Sequence, residues 1–151
     1  LDECFPQHPL LPAGSFERAR CRSLALQIAC EIHPLNNLRV QKYLASTRDE
    51  HLDTSAWMSH WMSSGFEAIE WQLGEQGREN AGYLGEQPGL FECFLVPHVF
   101  NADLFGLDMS PYPQIVKIVE HCRKLPEFLQ ALPENQPDAT PNCQALSHYP
   151  K

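Results

Sequence analysis

Residues 28–40, IACEIHPLNNLRV, carry the end of one helix and the start of another. Ile28 and Ile32 are four residues apart and therefore fall on one face of a helix. Pro34 has no N–H to donate and disfavours helical geometry at the residue before it, so the helix breaks or kinks there. The pattern predicts a second, shorter helical piece over residues 36–44.

Upstream of this stretch, the sequence predicts a connector followed by a long helix. Residues 1–14 contain three prolines and are typical of an extended connector. Ser15 can cap the helix that follows. The apolar residues of this helix recur at helical spacing, at Phe16, Ala19, Leu24, Ile28 and Ile32.

Downstream, the clearest helix begins after Asp53 or Thr54, either of which can cap it. Trp57 and Trp61 lie on its apolar stripe, where tryptophans at helical spacing are usually core residues. Gly65 lies on the same stripe, although glycine inside a helix costs about 1 kcal/mol relative to alanine. Its position therefore indicates that a neighbouring helix approaches closely.

Three further helical segments are predicted towards the carboxyl end. Residues 90–105 are apolar on nearly every side, which is typical of a helix at the centre of a domain. Ser110 is a candidate N-cap followed by proline at the first helical position, so we expect a helix from there to about Lys124. A short turn of helix is predicted at 126–131.

The sequence therefore predicts an all-α bundle of about five helices. No alternating strand pattern of useful length and no internal repeat is present. We expect residues 1–14 to be a linker, residues 15–132 to form the helical domain, and residues 133–151 to form an irregular tail.

Charge and apolar content exclude several classes of protein. The 151-residue chain has a formal net charge of −8, and its densest basic run, residues 18–22, is typical of a solvated helix face. Nucleic-acid binding is therefore not expected. No stretch approaches the ~18 apolar residues that span a bilayer, so no membrane partner is expected either. Because the sequence begins with Leu1 rather than Met, we expect a fragment of a longer protein.

The six cysteines do not follow the spacing of a metal site or a disulfide framework. No C-x-x-C occurs. Cys21, Cys30, Cys93 and Cys122 fall in helical segments, where cysteine usually behaves as a small apolar residue. We therefore expect a reduced, cytoplasmic protein without a metal.

An ordered set of short motifs runs along the chain. They are PLLP (9–12), IACEIHPLNNLRV (28–40), HWM (60–62), GFEAIE (65–70), LVP (95–97), NA (101–102), DMSPYP (108–113) and QPDA (136–139). The set resembles the helical C-terminal domain of the zeta-class glutathione transferases, which include maleylacetoacetate isomerase and maleylpyruvate isomerase. The resemblance covers about residues 5–140, and the stretch at 28–40 is its most specific part.

The resemblance implies a two-domain subunit, usually a homodimer, with glutathione bound mainly by an N-terminal thioredoxin-like domain. That domain carries the Ser/Cys catalytic motif, and neither it nor the motif is present in this sequence. No catalytic residue is therefore expected here, and the chain alone is expected to be inactive. The implied reaction is cis–trans isomerisation of a conjugated diketo acid in aromatic amino-acid breakdown, such as that of tyrosine.

Such a reaction needs a cation for a substrate carboxylate and hydrogen-bond donors for the enolate oxygen. Arg39 is the candidate cation, because guanidinium binds carboxylate in a bidentate manner. The alternative is an exposed helix arginine paired with a nearby acid. His33, Asn36 and Asn37 are candidate ligands of glutathione or substrate. The alternative is that their side chains satisfy backbone groups freed by the kink.

Two departures from the family pattern stand out. The family has an arginine directly before the Phe of an N-A-x-R-F pattern, thought to hold a substrate carboxylate, and Leu104 stands there in this chain. Asp103 beside it is expected to repel a carboxylate. The family also begins this helix with Ser or Thr and has Asp three residues later, whereas this chain has Gly89 and Glu92.

Two other groups of residues favour structural roles. His98, on an apolar helix, is expected to be a buried histidine whose hydrogen bonds are satisfied. Glu67 and Glu70, three residues apart on one helix, are expected to form a solvated face rather than the carboxylate pair of a hydrolase.

One alternative function stays open. A transferase fold can also serve as a non-catalytic helical module for dimerisation or partner binding. Leu104 favours this alternative, because leucine cannot bind a carboxylate. The retained stretch at 28–40 favours the enzyme.

Overall fold

The computed structural model of the chain describes residues 2–47, 53–75 and 83–139. The α-helices of this part are α1 (Ser15–Leu26), α2 (Leu38–Ser46), α3 (Thr54–Gly74), α4 (Leu90–Leu104), α5 (Pro113–Cys122) and α6 (Pro126–Ala131). A π-helix over Gln27–Ile32 and a 3-10 turn over His33–Leu35 prolong α1. The described residues contain no strand, and the all-α prediction is confirmed.

The core lies between α1, α3, α4 and α5. Helix α4 packs against α1 and α5, while α3 packs against α5 and the π-helix. Each of these helices buries residues spaced three or four apart, as amphipathic helices do. The largest fully buried side chains include Leu24, Ile32, Met58, Met62, Phe66, Ile69, Phe91, Leu95, Val99, Ile115 and Val119.

The buried face of α1 differs from the predicted one. Cys21, Leu24 and Ile28 are buried, whereas Phe16 is 76% exposed and Ala19 is also exposed. At about 100° per residue, Phe16 is rotated by roughly 80° to 140° around the helix from these three residues, and so lies outside their stripe. The predicted cap is also displaced by one residue, because Gly14 is the N-cap and its position has no side-chain hydrogen bond.

The connector before α1 is held in place by hydrogen bonds from backbone N–H groups to a carboxylate and to a backbone carbonyl. The carboxylate of Asp2 accepts hydrogen bonds from the N–H groups of Leu10 and Leu11 at 2.9 and 3.0 Å. The carbonyl of Leu10 in turn accepts from the N–H of Leu90 at 2.8 Å. The connector therefore closes over the start of α4.

This arrangement explains the glycine at the start of α4. A Cβ atom at Gly89 would lie 2.5 Å from the carbonyl oxygen of Leu10, so a Ser or Thr there would displace the connector. Glu92 supplies the cap instead. Its carboxylate accepts from the N–H of Gly89 at 2.8 Å and from that of Leu84 at 2.7 Å. The two departures at the helix start are thus one coordinated change.

The start of α5 differs from the prediction. Its first residue is Pro113, not Pro111, and Tyr112 rather than Ser110 is its N-cap. Ser110 lies in a turn before the helix, where its N–H and hydroxyl donate to Asp108 at 2.9 and 2.8 Å. These hydrogen bonds lower the pKa of the Asp108 carboxyl.

Glu70 on α3 caps α5 and does not belong to a solvated face. Its two carboxylate oxygens accept from the N–H groups of Gln114 at 2.7 Å and Ile115 at 3.0 Å. Negative charge at a helix N-terminus also interacts favourably with the helix dipole. The expectation of a solvated glutamate pair was right only for Glu67, which is exposed.

Replacing Glu70 with alanine is expected to lower the free energy of unfolding by about 2 kcal/mol. The substitution leaves two backbone N–H groups without their acceptor and removes a helix cap. Glu67→Ala, which removes the same charge one turn earlier on the same helix, is the matched control and is expected to change stability by less than about 0.5 kcal/mol. Urea unfolding of the two variants checks the difference, and equal losses would contradict this role of Glu70.

The remaining predictions about the fold have mixed outcomes. Helix α6 spans Pro126–Ala131 as predicted, and Asp53 caps α3 by accepting from Ser55 N–H at 2.8 Å. A 3-10 turn over Pro133–Asn135 begins the segment predicted to be an irregular tail, while residues 140–151 lie outside the described part. Within the described residues, no helix has the length and apolar character needed to cross a membrane.

Candidate functional site

The kink after α1 is the most irregular part of the described backbone. The helix widens at Gln27, and the N–H of His33 bonds to the carbonyl of Ile28, five residues earlier. The next bond of this ladder cannot form, because Pro34 has no N–H. The break at Pro34 is therefore confirmed, whereas the π-helix before it was not predicted. Short π-helical segments occur frequently at functional sites.

Contacts from α3 and α2 hold the kink in place. The indole N–H of Trp57 donates to the carbonyl of Leu35 at 2.9 Å, and the side chain of Gln41 donates to the carbonyl of Asn36 at 3.0 Å. Trp57 is half-buried against the core, so its main visible role is to anchor the kink. Local sequence patterns could not predict this hydrogen bond, since its partners are 22 residues apart.

The two adjacent asparagines behave differently. Asn37 is the N-cap of α2, and its side chain accepts from the N–H of Arg39 at 3.1 Å. Asn36 is only 7% exposed, and within the described part of the chain neither polar atom of its amide has a partner. The structural alternative therefore accounts for Asn37 but not for Asn36. A buried amide without partners is costly, and such groups mark positions where a ligand or water can bind.

Arg39 lies in the first turn of α2 and is exposed. No acidic group in the described segments pairs with it, so the alternative of a helix ion pair receives no support from them. A guanidinium held on a capped helix beside the kink can reach an anionic ligand. Arg39 stays a predicted binding residue.

A cavity of about 300 Å³ opens between the kink and α4. Its wall includes His33, Phe94, Pro97, His98 and Asn101. The rings of His33 and His98 stand edge to face, with their centroids 6.1 Å apart. Of the four candidate binding residues, only His33 lines this cavity. The structure thus brings His33 together with His98 and Asn101, two residues that were not predicted as ligands.

His98 is buried as predicted, but its hydrogen bonds are not satisfied. It is 3% exposed, and its Nε2 atom has no partner among the described residues. Burial lowers the pKa of His98 to about 4, and the neighbouring His33 contributes to the shift. The imidazole is therefore neutral at physiological pH, which leaves the cavity wall without a fixed positive charge there.

The pKa of His98 makes stability depend on pH. Between pH 6.5 and about 4 the unfolded chain binds a proton that the folded chain does not, so stability falls as pH falls through this window. The loss reaches up to about 3 kcal/mol at the acid end. Urea unfolding from pH 7 to pH 4 should show this slope and should show it reduced in His98→Gln. An unchanged slope in the variant would assign the acid sensitivity to other groups.

Leu104, which the resemblance places at the family's arginine position, is the last residue of α4 and is 46% exposed. Asp103 beside it lies 3.4 Å from Arg123, which offsets its negative charge. The expected repulsion of a carboxylate by Asp103 is therefore weaker than the sequence suggested. The missing arginine has no replacement at this position.

Two thiols near the start of α4 are poor nucleophiles. Burial raises the pKa of Cys21 and raises that of Cys122 to about 12, and the nearby carboxylate of Glu92 adds to both shifts. Because their pKa values are raised, both thiols stay protonated. They are therefore weak nucleophiles, since the thiolate is the nucleophilic form of cysteine. Cys30 and Cys93 are exposed rather than packed in the core, and Cys143 lies outside the described residues. The described residues contain no group of three His, Cys, Asp or Glu placed to hold a metal.

Comparison with known proteins reveals close relatives, although no family model matches the chain. The chain is 44% identical to a probable maleylacetoacetate isomerase of Vibrio cholerae, over 92% of its own length and 64% of the relative's. A crystal structure of maleylpyruvate isomerase from Pseudomonas aeruginosa superposes with a TM-score of 0.85 at 38% identity, covering 92% of this chain and 73% of the other.

A third comparison shows a relative with a bound ligand. Maleylacetoacetate isomerase from Anaeromyxobacter dehalogenans, 33% identical, superposes with a TM-score of 0.86 over 93% of this chain and 62% of the other. That structure holds dicarboxyethyl glutathione and citrate in its active site. The chain thus spans somewhat less than two thirds of the Vibrio and Anaeromyxobacter relatives.

Proposed function

Because this chain belongs to the family of zeta-class glutathione transferases and maleylacetoacetate isomerases, we propose that it forms the helical C-terminal part of a glutathione-dependent cis–trans isomerase. Residues 15–132 are the helical domain in this proposal, residues 1–14 link it to a glutathione-binding domain, and residues 133–151 form a tail. The observation that carries the proposal is the kink at 28–40, with polar groups left unpaired beside it.

The residues at the kink fit a glutathione-bound acid. Arg39 offers a guanidinium without an acidic partner in the described segments, and His33 is exposed at the mouth of the cavity. The unpaired amide of Asn36 lies between them in sequence. Glutathione, when bound, supplies the thiolate that adds to the carbon–carbon double bond and then leaves it.

The chain's own residues have two roles in such a reaction. Arg39 binds a carboxylate of the substrate, which fixes the orientation of the double bond. His33 and the amides of Asn36 and Asn37 are the candidate donors towards glutathione or the enolate oxygen that develops on the substrate. The proposed substrate is a conjugated diketo acid of the maleylacetoacetate type, from aromatic amino-acid breakdown, with maleylpyruvate as the alternative.

We also propose that the complete protein is a cytoplasmic homodimer. Leu26 and Trp71 are 54% and 67% exposed, although both are large and apolar. Their chain neighbours, Gln27 and Gln72, exchange two side-chain hydrogen bonds of 3.0 and 2.9 Å, which supports Leu26 and Trp71 as parts of one surface. Such a surface is suited to a second copy of the chain. The free thiols of Cys21 and Cys122 are compatible with a reducing compartment.

The activity is tested by joining the N-terminal part of the probable maleylacetoacetate isomerase of Vibrio cholerae, the part that this chain does not cover, to this chain. We expect glutathione-dependent isomerisation by the fusion and none by the 151-residue chain alone. Arg39→Ala is expected to lower kcat/KM about 100-fold, the loss that follows from one charge-assisted carboxylate contact. Lys42→Ala, which removes the same charge one turn later on α2, is the control and should leave kcat/KM within about twofold.

An inactive fusion that folds and dimerises would favour the second candidate function. In that case the chain is a non-catalytic module for dimerisation or partner binding, which Leu104 favours because it removes a carboxylate ligand. Full activity of the Arg39→Ala variant would support the proposed reaction but would exclude Arg39 as a ligand of the substrate carboxylate.

A further inference from the structure

A row of four aromatic rings runs from the start of α5 to the kink. The ring centroids of Tyr112 and Phe66 are 5.6 Å apart, and those of Phe66 and His98 are 5.8 Å apart. The ring of His98 then stands edge to face with that of His33, at 6.1 Å and an interplanar angle of 72°. These separations are typical of attractive ring pairs. The row therefore joins α5, α3 and α4 to the kink.

The core fixes the first three rings of the row. Tyr112, Phe66 and His98 are 4%, 0% and 3% exposed. The hydroxyl of Tyr112 donates to the carbonyl of Ser63 at 3.4 Å, which ties the far end of the row to α3. Side chains that are packed this closely stay in one rotamer on average. His98 therefore presents a fixed ring to its neighbour at the kink.

His33, at the open end of the row, has fewer constraints. It is exposed and belongs to the 3-10 turn that follows the π-helix. None of the described residues hydrogen-bonds to its imidazole, so the ring contact with His98 is the interaction that restrains it within this part of the chain. An exposed side chain without such a contact changes rotamer on the picosecond to nanosecond timescale.

We propose that His98 is a positioning residue for His33. It holds the His33 imidazole in one orientation at the mouth of the cavity, where both residues form part of the wall. The inference rests on the proposed function for the purpose of this ordering, which is to donate a hydrogen bond to a glutathione-bound acid. A donor that is already oriented loses less conformational entropy when the ligand binds, so the ligand binds more tightly.

The neutral state of His98 suits this role. Burial lowers the pKa of His98 to about 4, and His33 contributes to the shift. At physiological pH the row therefore meets His33 with an uncharged ring. The two rings do not carry like charges together, so no charge repulsion opposes their contact.

The test is NMR of the 151-residue chain and of three variants. His98→Leu removes the ring, and His98→Phe restores a ring without nitrogen atoms. Phe91→Leu, at a residue of α4 that is 0% exposed, is the control that removes a buried ring elsewhere in the core. Three-bond couplings across the first side-chain torsion of His33 report whether its ring keeps one rotamer. Titration with dicarboxyethyl glutathione, the ligand found in the Anaeromyxobacter relative, gives the affinity.

We expect His33 to keep one rotamer in the original chain and in His98→Phe, and to show averaged couplings in His98→Leu. The affinity should fall about fivefold in His98→Leu, because one more side chain must be immobilised on binding, and should stay within about twofold in His98→Phe. Phe91→Leu should lower the stability of the fold and leave both measurements at His33 unchanged.

Unaltered couplings of His33 in His98→Leu would overturn the inference. Couplings that are averaged equally in Phe91→Leu or in His98→Phe would also overturn it, because the effect would then not come from the ring at position 98. The couplings are measured without a ligand, so they decide the role of His98 even if the proposed function fails. That failure is seen separately, as the absence of any shift at the kink when the original chain is titrated.

Discussion

Replacing Glu92 with alanine is expected to lower the free energy of unfolding by about 3 kcal/mol and the melting temperature by about 10 °C. The carboxylate is 1% exposed, and each of its oxygens accepts a backbone N–H, one from Gly89 and one from Leu84. Alanine would remove the carboxylate that accepts from these two partly buried N–H groups and would open a void beside Cys21. Thermal and urea unfolding measure the loss.

Two variants separate the reasons for this effect. Glu86→Ala removes the same charge from an exposed position in the preceding loop and is expected to be nearly neutral. Glu92→Gln keeps the shape and one good acceptor, so its loss should be about half that of alanine. If Glu92→Ala were as stable as Glu86→Ala, the account of the α4 cap and its connector would be wrong.

Replacing Gly65 with valine is expected to lower the free energy of unfolding by about 3 kcal/mol. A Cβ atom at this position would overlap the side chain of Ile32, which is itself only 1% exposed. The higher helix propensity of valine relative to glycine offsets little of this overlap. The close approach predicted from the position of Gly65 on the apolar stripe is thus confirmed, and it joins α3 to the π-helix directly before the kink.

The matched control lies on the same helix. Gly74 is the last residue of α3, and a Cβ atom there would meet nothing within 4 Å, so Gly74→Val should change stability by less than about 1 kcal/mol. Shortening the partner provides a further test, because Ile32→Ala makes room for the new valine. The double variant should lose at least about 1 kcal/mol less unfolding free energy than the sum of the losses in Gly65→Val and Ile32→Ala. Strict additivity would contradict the contact.

Local sequence patterns predicted the helices but not their tertiary caps. Periodicity located all the long helices. Because proline has no N–H to donate, Pro34 marked the break after the first helix and Pro126 marked the start of α6. Glu70 could not be recognised as the cap of α5, because its partners lie 44 and 45 residues away. Ser110 has a side chain that commonly caps a helix, but α5 begins at Pro113 and is capped by Glu70 of α3.

The candidate site was predicted only in part, because some of its residues are local in sequence and others are remote. His33, Asn36 and Asn37 were found because they crowd a proline, and the structural role of Asn37 follows from helix capping alone. His98 and Asn101 reach the cavity from α4, which is remote in sequence from the kink. The π-helix was missed because an apolar spacing of four residues does not distinguish it from an α-helix.

The kink at 28–40, with its cavity against α4, is the proposed place where this chain meets a glutathione-bound acid. The most direct measurement is an NMR titration of the 151-residue chain with dicarboxyethyl glutathione, the ligand found in the Anaeromyxobacter relative. We expect saturable shifts at His33, Asn36 and Arg39, with an affinity on the order of millimolar in the absence of the glutathione-binding domain. The absence of any shift at the kink at saturating ligand would contradict this assignment.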